Sequence, residues 1–336
     1  MTISFFSSPI GLGHASRDIA IAKNLNEFTI KFTSGAGAAK LIIKYAFDVN
    51  DAYVPPNFDV QSGALQGSAK WLWRYYKYYK DCKKKSSMII QDENPKIVVS
   101  DEDFASLSIA QERKIPTVLL TDILETRFTN GFAGIIEKKM NKSMNDIIKK
   151  CDFVILPENG VDEGNIYRVG PIVRETNLSR EQLREKFSFS KKTLLLSVGG
   201  TDAGLFLIKK TIEAASKLDD VDLVLVSGPS IKKEFKDIRN LGFIENLHEA
   251  IYAADVVVSL AGKSTMDEAK AYGTPGIFIP IQNHFEQEDN AREVGFSYED
   301  LFKLDDLIPK YAKKDRIPSE SSGAKKAARL IAEIAK

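Results

Sequence analysis

The sequence predicts an α/β protein built from two facing Rossmann-like, doubly wound domains with an interdomain cleft. Three observations predict it. Short β-type runs alternate with amphipathic helical runs along most of the chain, the pattern of parallel sheets covered by helices. Each half opens with the same device, a strand, a glycine-bearing loop and a helix: residues 2–7 then Ser8-Pro9-Ile10-Gly11-Leu12-Gly13-His14, and residues 193–198 then Gly199-Gly200-Thr201-Asp202-Ala203-Gly204. Finally, 336 residues suit two domains of ordinary size, each with its own core.

Composition narrows the class of partner. The formal charge is +1, from 47 basic and 46 acidic side chains, so there is no global field to attract nucleic acid. The two cysteines, Cys82 and Cys151, lie far apart without metal-ligand spacing, which suits a reducing compartment. The N-terminus lacks a charged segment followed by an apolar core, and no apolar run approaches the ~20 residues of a membrane span. A soluble cytoplasmic protein is expected.

In chain order, residues 2–7 read as a strand and residues 15–25 as an amphipathic helix. The loop between them is a phosphate-type crevice at a strand's carboxyl end, although its spacing is not G-x-G-x-x-G. Residues 29–33 predict a strand and 36–45 a helix; 96–100 predict a strand and 104–111 a helix. Runs 116–121, 153–156 and 167–169 complete the first strand set. Ser100-Asp101-Glu102-Asp103 and Thr121-Asp122 fall at strand tips, where ligands bind in open α/β sheets. Capping the following helix is the plainer role, and the favoured one for Asp103.

Residues 70–82, KWLWRYYKYYKDC, predict a helix with Trp71, Leu72, Tyr75, Tyr78, Tyr79 and Cys82 on one broad face and Lys70, Arg74 and Lys77 on the other side. Such a helix either packs in a domain or lies at a membrane surface, with packing favoured. Residues 131–148 repeat the theme with Phe132, Ile135 and Ile136 followed by Lys138, Lys139 and Lys142. Gly170 and Pro171 punctuate the chain before a charged helix at 179–186, which places a domain boundary there. Domains are expected at 1–172 and 173–317, with a C-terminal helix from the polar linker at 318 to residue 336.

The most informative stretch is 242–291. It predicts a short strand at 242–244, a helix, a buried strand at 255–260, an Ala261-Gly262 turn, a helix beginning near Ser264-Thr265, and a strand at 276–281. A strand, a small-residue turn and a helix N-terminus make an anion site, because unpaired N–H groups and the helix dipole point the same way. Thr265 and Glu268 share one face of that helix, so N–H groups and the Thr265 hydroxyl suit a diphosphate while Glu268 suits a ribose diol. On the local pattern alone, a plain turn with Thr265 capping and Glu268 exposed is equally supported.

The string F-I-x-x-L-x-x-A-x-Y-x-A-D-V-V-V-S-x-A-G-x-x-T-x-x-E-x-x-x-x-G-x-P-x-x-x-I-P…Q-x-x-N-A, starting at Phe243, resembles the donor half of family 28 glycosyltransferases. The resemblance implies the GT-B fold, a UDP-sugar donor with N-acetylglucosamine foremost, inversion at the anomeric carbon, and a lipid-linked or membrane-adjacent acceptor. It implies roles residue by residue: Ile244 meeting uracil through its backbone, Thr265 at a phosphate, Glu268 on the ribose, and Gln287 on the donor sugar. Gly262 and Ser264, at the turn and helix mouth, join the donor-binding candidates. Glu286 stands where the family often has a second glutamine. The G-x-G-H loop (Gly11, Gly13, His14) resembles the family's acceptor loop, with Asp103 beside it. His14 is then the candidate base, a role suited to a neutral imidazole near its ordinary pKa, with Asp101 as the alternative.

Val169-Gly170-Pro171-Ile172-Val173-Arg174 resembles the family's G-x-P-V-R linker, whose arginine reaches the donor diphosphate. Gly199, Gly200 and Thr201 resemble its G-G-S-x-G-A loop, with close backbone approach to phosphate. The last helix is expected to cross back onto the first domain. No D-x-D lies in a donor motif, so neither a metal nor another cofactor is expected. The competing readings are a nucleotide-sugar epimerase or hydrolase of the same fold, and a non-catalytic nucleotide-sugar-binding subunit.

Overall fold

The computed structural model describes residues 1–127, 133–199, 202–229, 231, 233, 235 and 238–335. The chain divides into two compact units: Met1–Asn57, Gly67–Val173 and Ser321–Lys336 form the first, and Phe58–Gln66 with Arg174–Glu320 form the second. Against the linear partition expected from the sequence, the boundaries fall at 173/174 and 320/321, and a short segment of the first half, Phe58–Gln66, belongs with the second unit.

The chain begins with β1 (Thr2–Ser7), α1 (Gly13–Ala22), β2 (Thr29–Ser34), α2 (Ala36–Lys44) and β3 (Asp48–Asp51). Next come the antiparallel pair β4 (Val60–Gln61) and β5 (Ala64–Leu65), which lies in the second unit. The first unit resumes with α3 (Ser68–Glu93), β6 (Ile97–Asp101), α4 (Phe104–Glu112), β7 (Thr117–Leu120), α5 (Ala133–Ile148), β8 (Phe153–Leu156) and β9 (Ile166–Arg168). Among the described residues its sheet has the order β3-β2-β1-β6-β7-β8-β9, every neighbouring pair parallel. Phe5 sits opposite Phe32 on one side and Val99 on the other. All three are fully buried, as expected for strands with both faces covered.

The second unit continues with α6 (Arg180–Lys186), β10 (Thr193–Ser197), a 3-10 turn (Asp202–Gly204), α7 (Leu205–Ala215), β11 (Asp222–Val226) and β12 (Arg239–Asn240). It is completed by α8 (Leu247–Ala253), β13 (Val256–Leu260), α9 (Lys263–Ala271), β14 (Gly276–Ile279), α10 (Phe285–Glu293), a second 3-10 segment (Tyr298–Lys303) and α11 (Leu304–Tyr311). Its main sheet is parallel with order β12-β11-β10-β13-β14. In both sheets the strand order reverses beside the first strand, between β1 and β6 and between β10 and β13. Ligand crevices form at that point in open α/β sheets, because the loops there diverge to opposite faces.

α12 (Gly323–Ala335) returns to the first unit and packs on α1. Its first residue is glycine for a steric reason: a Cβ would lie 2.4 Å from the carbonyl oxygens of both Gly170 and Pro171.

Two elements differ from expectation. The strand expected at 242–244 is a loop, and the edge strand is Arg239–Asn240. Gly242 has φ +65° and donates its N–H to the Asn240 side chain at 2.8 Å, a turn that closes the strand before the expected one begins. The aromatic helix is longer than residues 70–82 and stops at Asn94, which takes φ +44° before Pro95. Trp71, Leu72 and Cys82 are buried, Tyr75, Tyr78 and Tyr79 are half-buried, and Trp73 and Tyr76 are exposed. On α5, Ile135 and Ile136 are exposed, while Gly131 and Phe132 lie outside the described residues.

Gly323→Ala is expected to destabilise the first unit by about 1–3 kcal/mol, the usual penalty for forcing a methyl group into filled space. Both tryptophans, Trp71 and Trp73, belong to that unit, so urea unfolding followed by tryptophan fluorescence reads it selectively. An unchanged midpoint would mean that the helix start is not held against 170–171.

Candidate functional site

In the first unit the crevice between β1 and β6 gathers a charged cluster. α1 starts within the glycine loop, two residues earlier than expected, and presents His14, Arg17 and Asp18 on successive turns of one face. β6 ends at Asp101, followed by Glu102 and Asp103, and β7 is followed by Thr121 and Asp122. The Arg17 guanidinium, 3% exposed, donates to Asp101 from Nε at 2.5 Å and from Nη2 at 2.6 Å. Its Nη1 reaches Asp122 at 2.5 Å. His14 Nδ1 lies 2.7 Å from Asp101 Oδ1, and its Nε2 lies 3.8 Å from Glu102 Oε2. A carboxylate only accepts, so Nδ1 carries the proton and donates it to Asp101.

The electrostatics follow from this geometry. Burial opposes a charge on His14, but the Asp101 and Glu102 carboxylates outweigh it and lift the imidazole from 6.5 to about 9. Burial would likewise raise the Asp101 carboxyl, yet Arg17 and His14 hold it down at about 2. Asp18 is fully buried, accepts a short hydrogen bond from Ser7 Oγ, and is pushed well above the usual carboxylate range by burial and by the charge of Asp101. Glu102 sits at φ +57°, a conformation side chains rarely adopt, and accepts from Thr121 Oγ1 at 3.0 Å and from the Asp122 N–H at 3.1 Å. That strain places its carboxylate beside His14.

Two expectations change here. A neutral imidazole near its ordinary pKa does not describe His14, because two carboxylates favour its charged form. Asp101 is unsuited to take a proton from a substrate, being fully buried, ionised and hydrogen-bonded through both oxygens. Asp103 lies off the cluster: it caps α4, accepting from the Ala105 and Ser106 N–H groups and from the Tyr53 hydroxyl at 2.9 Å. Gly11 takes φ +93°, and Gly13 opens α1.

In the second unit the crevice between β10 and β13 receives both glycine turns. Gly199, exposed with φ +77°, follows β10; Gly200 and Thr201 lie outside the described residues. α9 starts after Gly262, an N-cap residue with no side chain, and a Cβ there would meet nothing within 4 Å. The mouth of α9 is therefore open on that side. Ser264 and Thr265 are half-buried in its first turn. Lys263 adds a cation, held by Asp267 at 2.6 Å.

One turn further in, Glu268 is 3% exposed and accepts at Oε1 from Arg174 Nε at 2.9 Å. Arg174, equally buried, also donates from Nη1 to the Glu245 carbonyl at 2.6 Å. That carbonyl adjoins Ile244, so one guanidinium ties the expected ribose carboxylate to the expected base loop. Tyr272 completes the arrangement by donating from its hydroxyl to the Arg174 carbonyl at 2.7 Å. Arg174, expected to reach a diphosphate, is here paired with Glu268. Asn290 of α10 donates to Ala261 O at 3.2 Å, which brings α10 against the same turn. Half-buried Glu286 and Gln287 lie in the first turn of α10, and Gln287 Oε1 accepts from the Ile281 N–H at 3.1 Å.

Arg17, Asp18, Lys263 and Tyr272 were missed in the sequence. The first two had a readable signal, the i, i+3, i+4 spacing from His14 on one helix face. Tyr272 had none, since its partner is 98 positions away.

Comparison with known proteins gives a consistent picture. Residues 194–304 match the glycosyltransferase family 28 C-terminal domain. An uncharacterized glycosyltransferase of Methanosarcina acetivorans is 25% identical over 321 residues, covering 88% of this chain and 83% of that protein. The UDP-N-acetylglucosamine--N-acetylmuramyl-(pentapeptide) pyrophosphoryl-undecaprenol N-acetylglucosamine transferase of Carboxydothermus hydrogenoformans is 28% identical over 228 residues, 61% of this chain and 58% of that one. Among solved structures, the glycotransferase of kitacinnamycin superposes with a TM-score of 0.65 at 14% identity, covering 99% of this chain and 98% of that one; this likeness shows the GT-B fold.

The His14 imidazole is expected to titrate near pH 9 by NMR, and Asp101→Asn to bring the midpoint down toward 6.5. Because the folded-state value is raised, the stability contributed by protonated His14 is complete below about 6.5 and is lost as pH rises through about 9. A wild-type midpoint at 6.5 would show that the ion pair does not form.

Proposed function

Since the chain is a glycosyltransferase of the GT-B fold with a family 28 C-terminal domain, we propose that it transfers N-acetylglucosamine from its UDP conjugate to a lipid-linked acceptor, inverting the anomeric centre without a metal. The observation that carries the donor assignment is the mouth of α9. Gly262 leaves space beside that mouth, Thr265 stands in the first turn, and Glu268 lies one turn deeper, oriented by Arg174. Amides, dipole and the nearby Lys263 ammonium supply the positive field that a departing diphosphate needs, the role a divalent ion plays elsewhere. Glu286 and Gln287, at the mouth of α10, bind the sugar, and Ile244 offers its backbone to uracil.

In the first unit His14 acts as base. The acceptor oxygen attacks the anomeric carbon, the bond to the diphosphate oxygen breaks, and UDP leaves with the electron pair. The acceptor's proton passes to His14 Nε2, while Asp101 holds Nδ1–H and stabilises the resulting imidazolium. Only the neutral fraction of His14 performs this step. Asp101 is thus a positioning residue for the imidazole, and Arg17 in turn fixes Asp101.

A lipid-linked acceptor is supported by two exposed surfaces of the first unit. On α3 the Trp73 and Tyr76 rings stack 6.1 Å apart, with Lys77 over the first and Lys80 over the second. On α5, exposed Ile135 and Ile136 precede exposed Lys138, Lys139 and Lys142. Aromatic rings at headgroup depth beside lysines facing anionic lipid form a peripheral membrane contact. No helix among the described residues is long and apolar enough to cross a membrane.

Glu268→Gln is expected to weaken UDP binding about tenfold in titration calorimetry, the worth of a hydrogen bond to a charged group. Alanine is the less clean choice, since it strands the buried Arg174 guanidinium at a cost of about 3–5 kcal/mol. UDP affinity unchanged in Glu268→Gln would remove the ribose assignment. The membrane contact is checked by co-sedimentation with phosphatidylserine vesicles, where each lysine near the surface contributes about 1 kcal/mol. Wild-type protein is expected in the pellet, and a Trp73→Ala/Tyr76→Ala variant in the supernatant. Wild type remaining in the supernatant would rule the contact out.

A further inference from the structure

The hairpin of β4 and β5 is encoded in the first half of the chain but belongs to the second unit. The chain leaves the first unit after Asn57 and re-enters it at Gly67. Within the second unit the hairpin docks on residues 281–284, the four that precede α10. Leu65 N–H donates to Gln282 O at 2.8 Å and Gln282 N–H donates to Gly63 O at 2.8 Å, so Ala64 and Gln282 pair as a parallel bridge. The Phe58 ring lies 5.3 Å from that of His284, the N-cap residue of α10. His284 is 6% exposed, and burial lowers its imidazole to about 4, so it packs as a neutral plate.

The far end of the hairpin is tied as well. Tyr298 donates from its hydroxyl to Ser62 O at 2.7 Å, and its ring packs against Phe206. Gly63 is buried at φ +86°, where a Cβ would lie 2.8 Å from the Tyr298 ring, so the turn requires glycine. Residues 281–284 are thus held from one side by the hairpin and from the other by Gln287, whose Oε1 takes the Ile281 N–H. The segment includes Asn283 at φ +67°, whose N–H donates to Glu288 of α10 at 2.8 Å.

We infer that hairpin 58–66 is a positioning element for donor-sugar recognition, because it holds the loop from which Glu286 and Gln287 emerge in its binding geometry. The inference rests on the proposed assignment of those two residues to the sugar. Without the hairpin, the donor would have to order the loop as it binds, and that conformational cost would be charged to the sugar. The nucleotide, held at α9, would not bear it. The hairpin therefore governs how strongly the protein distinguishes a UDP-sugar from UDP.

Calorimetric titration of wild type, Phe58→Ala, Phe58→Tyr and Tyr298→Phe with UDP and with UDP-N-acetylglucosamine tests this. Phe58→Ala and Tyr298→Phe are expected to bind UDP-N-acetylglucosamine about tenfold more weakly while keeping wild-type affinity for UDP, the size of effect expected when binding must order a few side chains. Phe58→Tyr, which keeps the ring contact, is expected to behave as wild type. Tyr298→Phe retains both rings, so it carries the comparison should Phe58→Ala fail to fold. Equal losses for both ligands, or no loss for either, would overturn the inference alone. Wild type that binds neither ligand would overturn the donor-site reading beneath it.

Discussion

A carboxylate withdrawn from water must be met by a cation, and that requirement shapes the crevice of each unit. In the first, Arg17 grips both oxygens of Asp101 and extends to Asp122. In the second, Arg174 grips Glu268 and extends to the Glu245 carbonyl. Neither arrangement is chiefly a source of stability, since desolvating such a pair costs about as much as its attraction returns. What it provides is direction. Asp101 is held ionised with one oxygen aimed at His14, and Glu268 is held with its carboxylate one turn below an open helix mouth.

On the proposed function, this division of labour separates the groups that meet substrate from those that orient them. His14 remains partly exposed at 15% while Asp101 and Arg17, which hold it in place, are almost fully buried. In the proposed transfer, the proton it would receive is stabilised by a carboxylate that cannot itself leave its arginine. At α9 the proposed donors are backbone amides, rigid groups that would need no reorganisation as charge builds on a diphosphate. The hairpin at 58–66 extends the same logic to α10, with two main-chain bonds and the contact of half-buried Phe58 with buried His284 replacing an ion pair as the fixing agent.

Much of this was legible in the order of residues. Strands with both faces buried read as apolar runs, which is why β1, β6, β10 and β13 were found within a residue or two. The glycine turns at Gly11-Leu12-Gly13, Gly199 and Gly262 were legible because a chain reversing between strand and helix needs small residues there. Local rules served less well where a single turn decides the outcome. Gly242 ends the edge strand at Asn240, and Asn94 ends α3 well beyond the aromatic segment that announced it. The broad apolar face of α3 was assigned correctly for Trp71, Leu72 and Cys82, but which aromatics stay outside depended on the neighbouring α4.

By itself the sequence determined the two doubly wound sheets, the crevices at their carboxyl ends, and the candidate residues around them, because periodicity, glycine placement and helix caps act over a few positions. Only the tertiary structure decided what those residues do to one another. That Asp101 is a bound counter-ion rather than a free base, that Arg174 rests on Glu268, and that residues 58–66 brace the loop before α10 all arise between positions 84 to 236 apart. Coulomb attraction and burial depend on distance in space, and at such separations along the chain that distance exists only once the fold has formed.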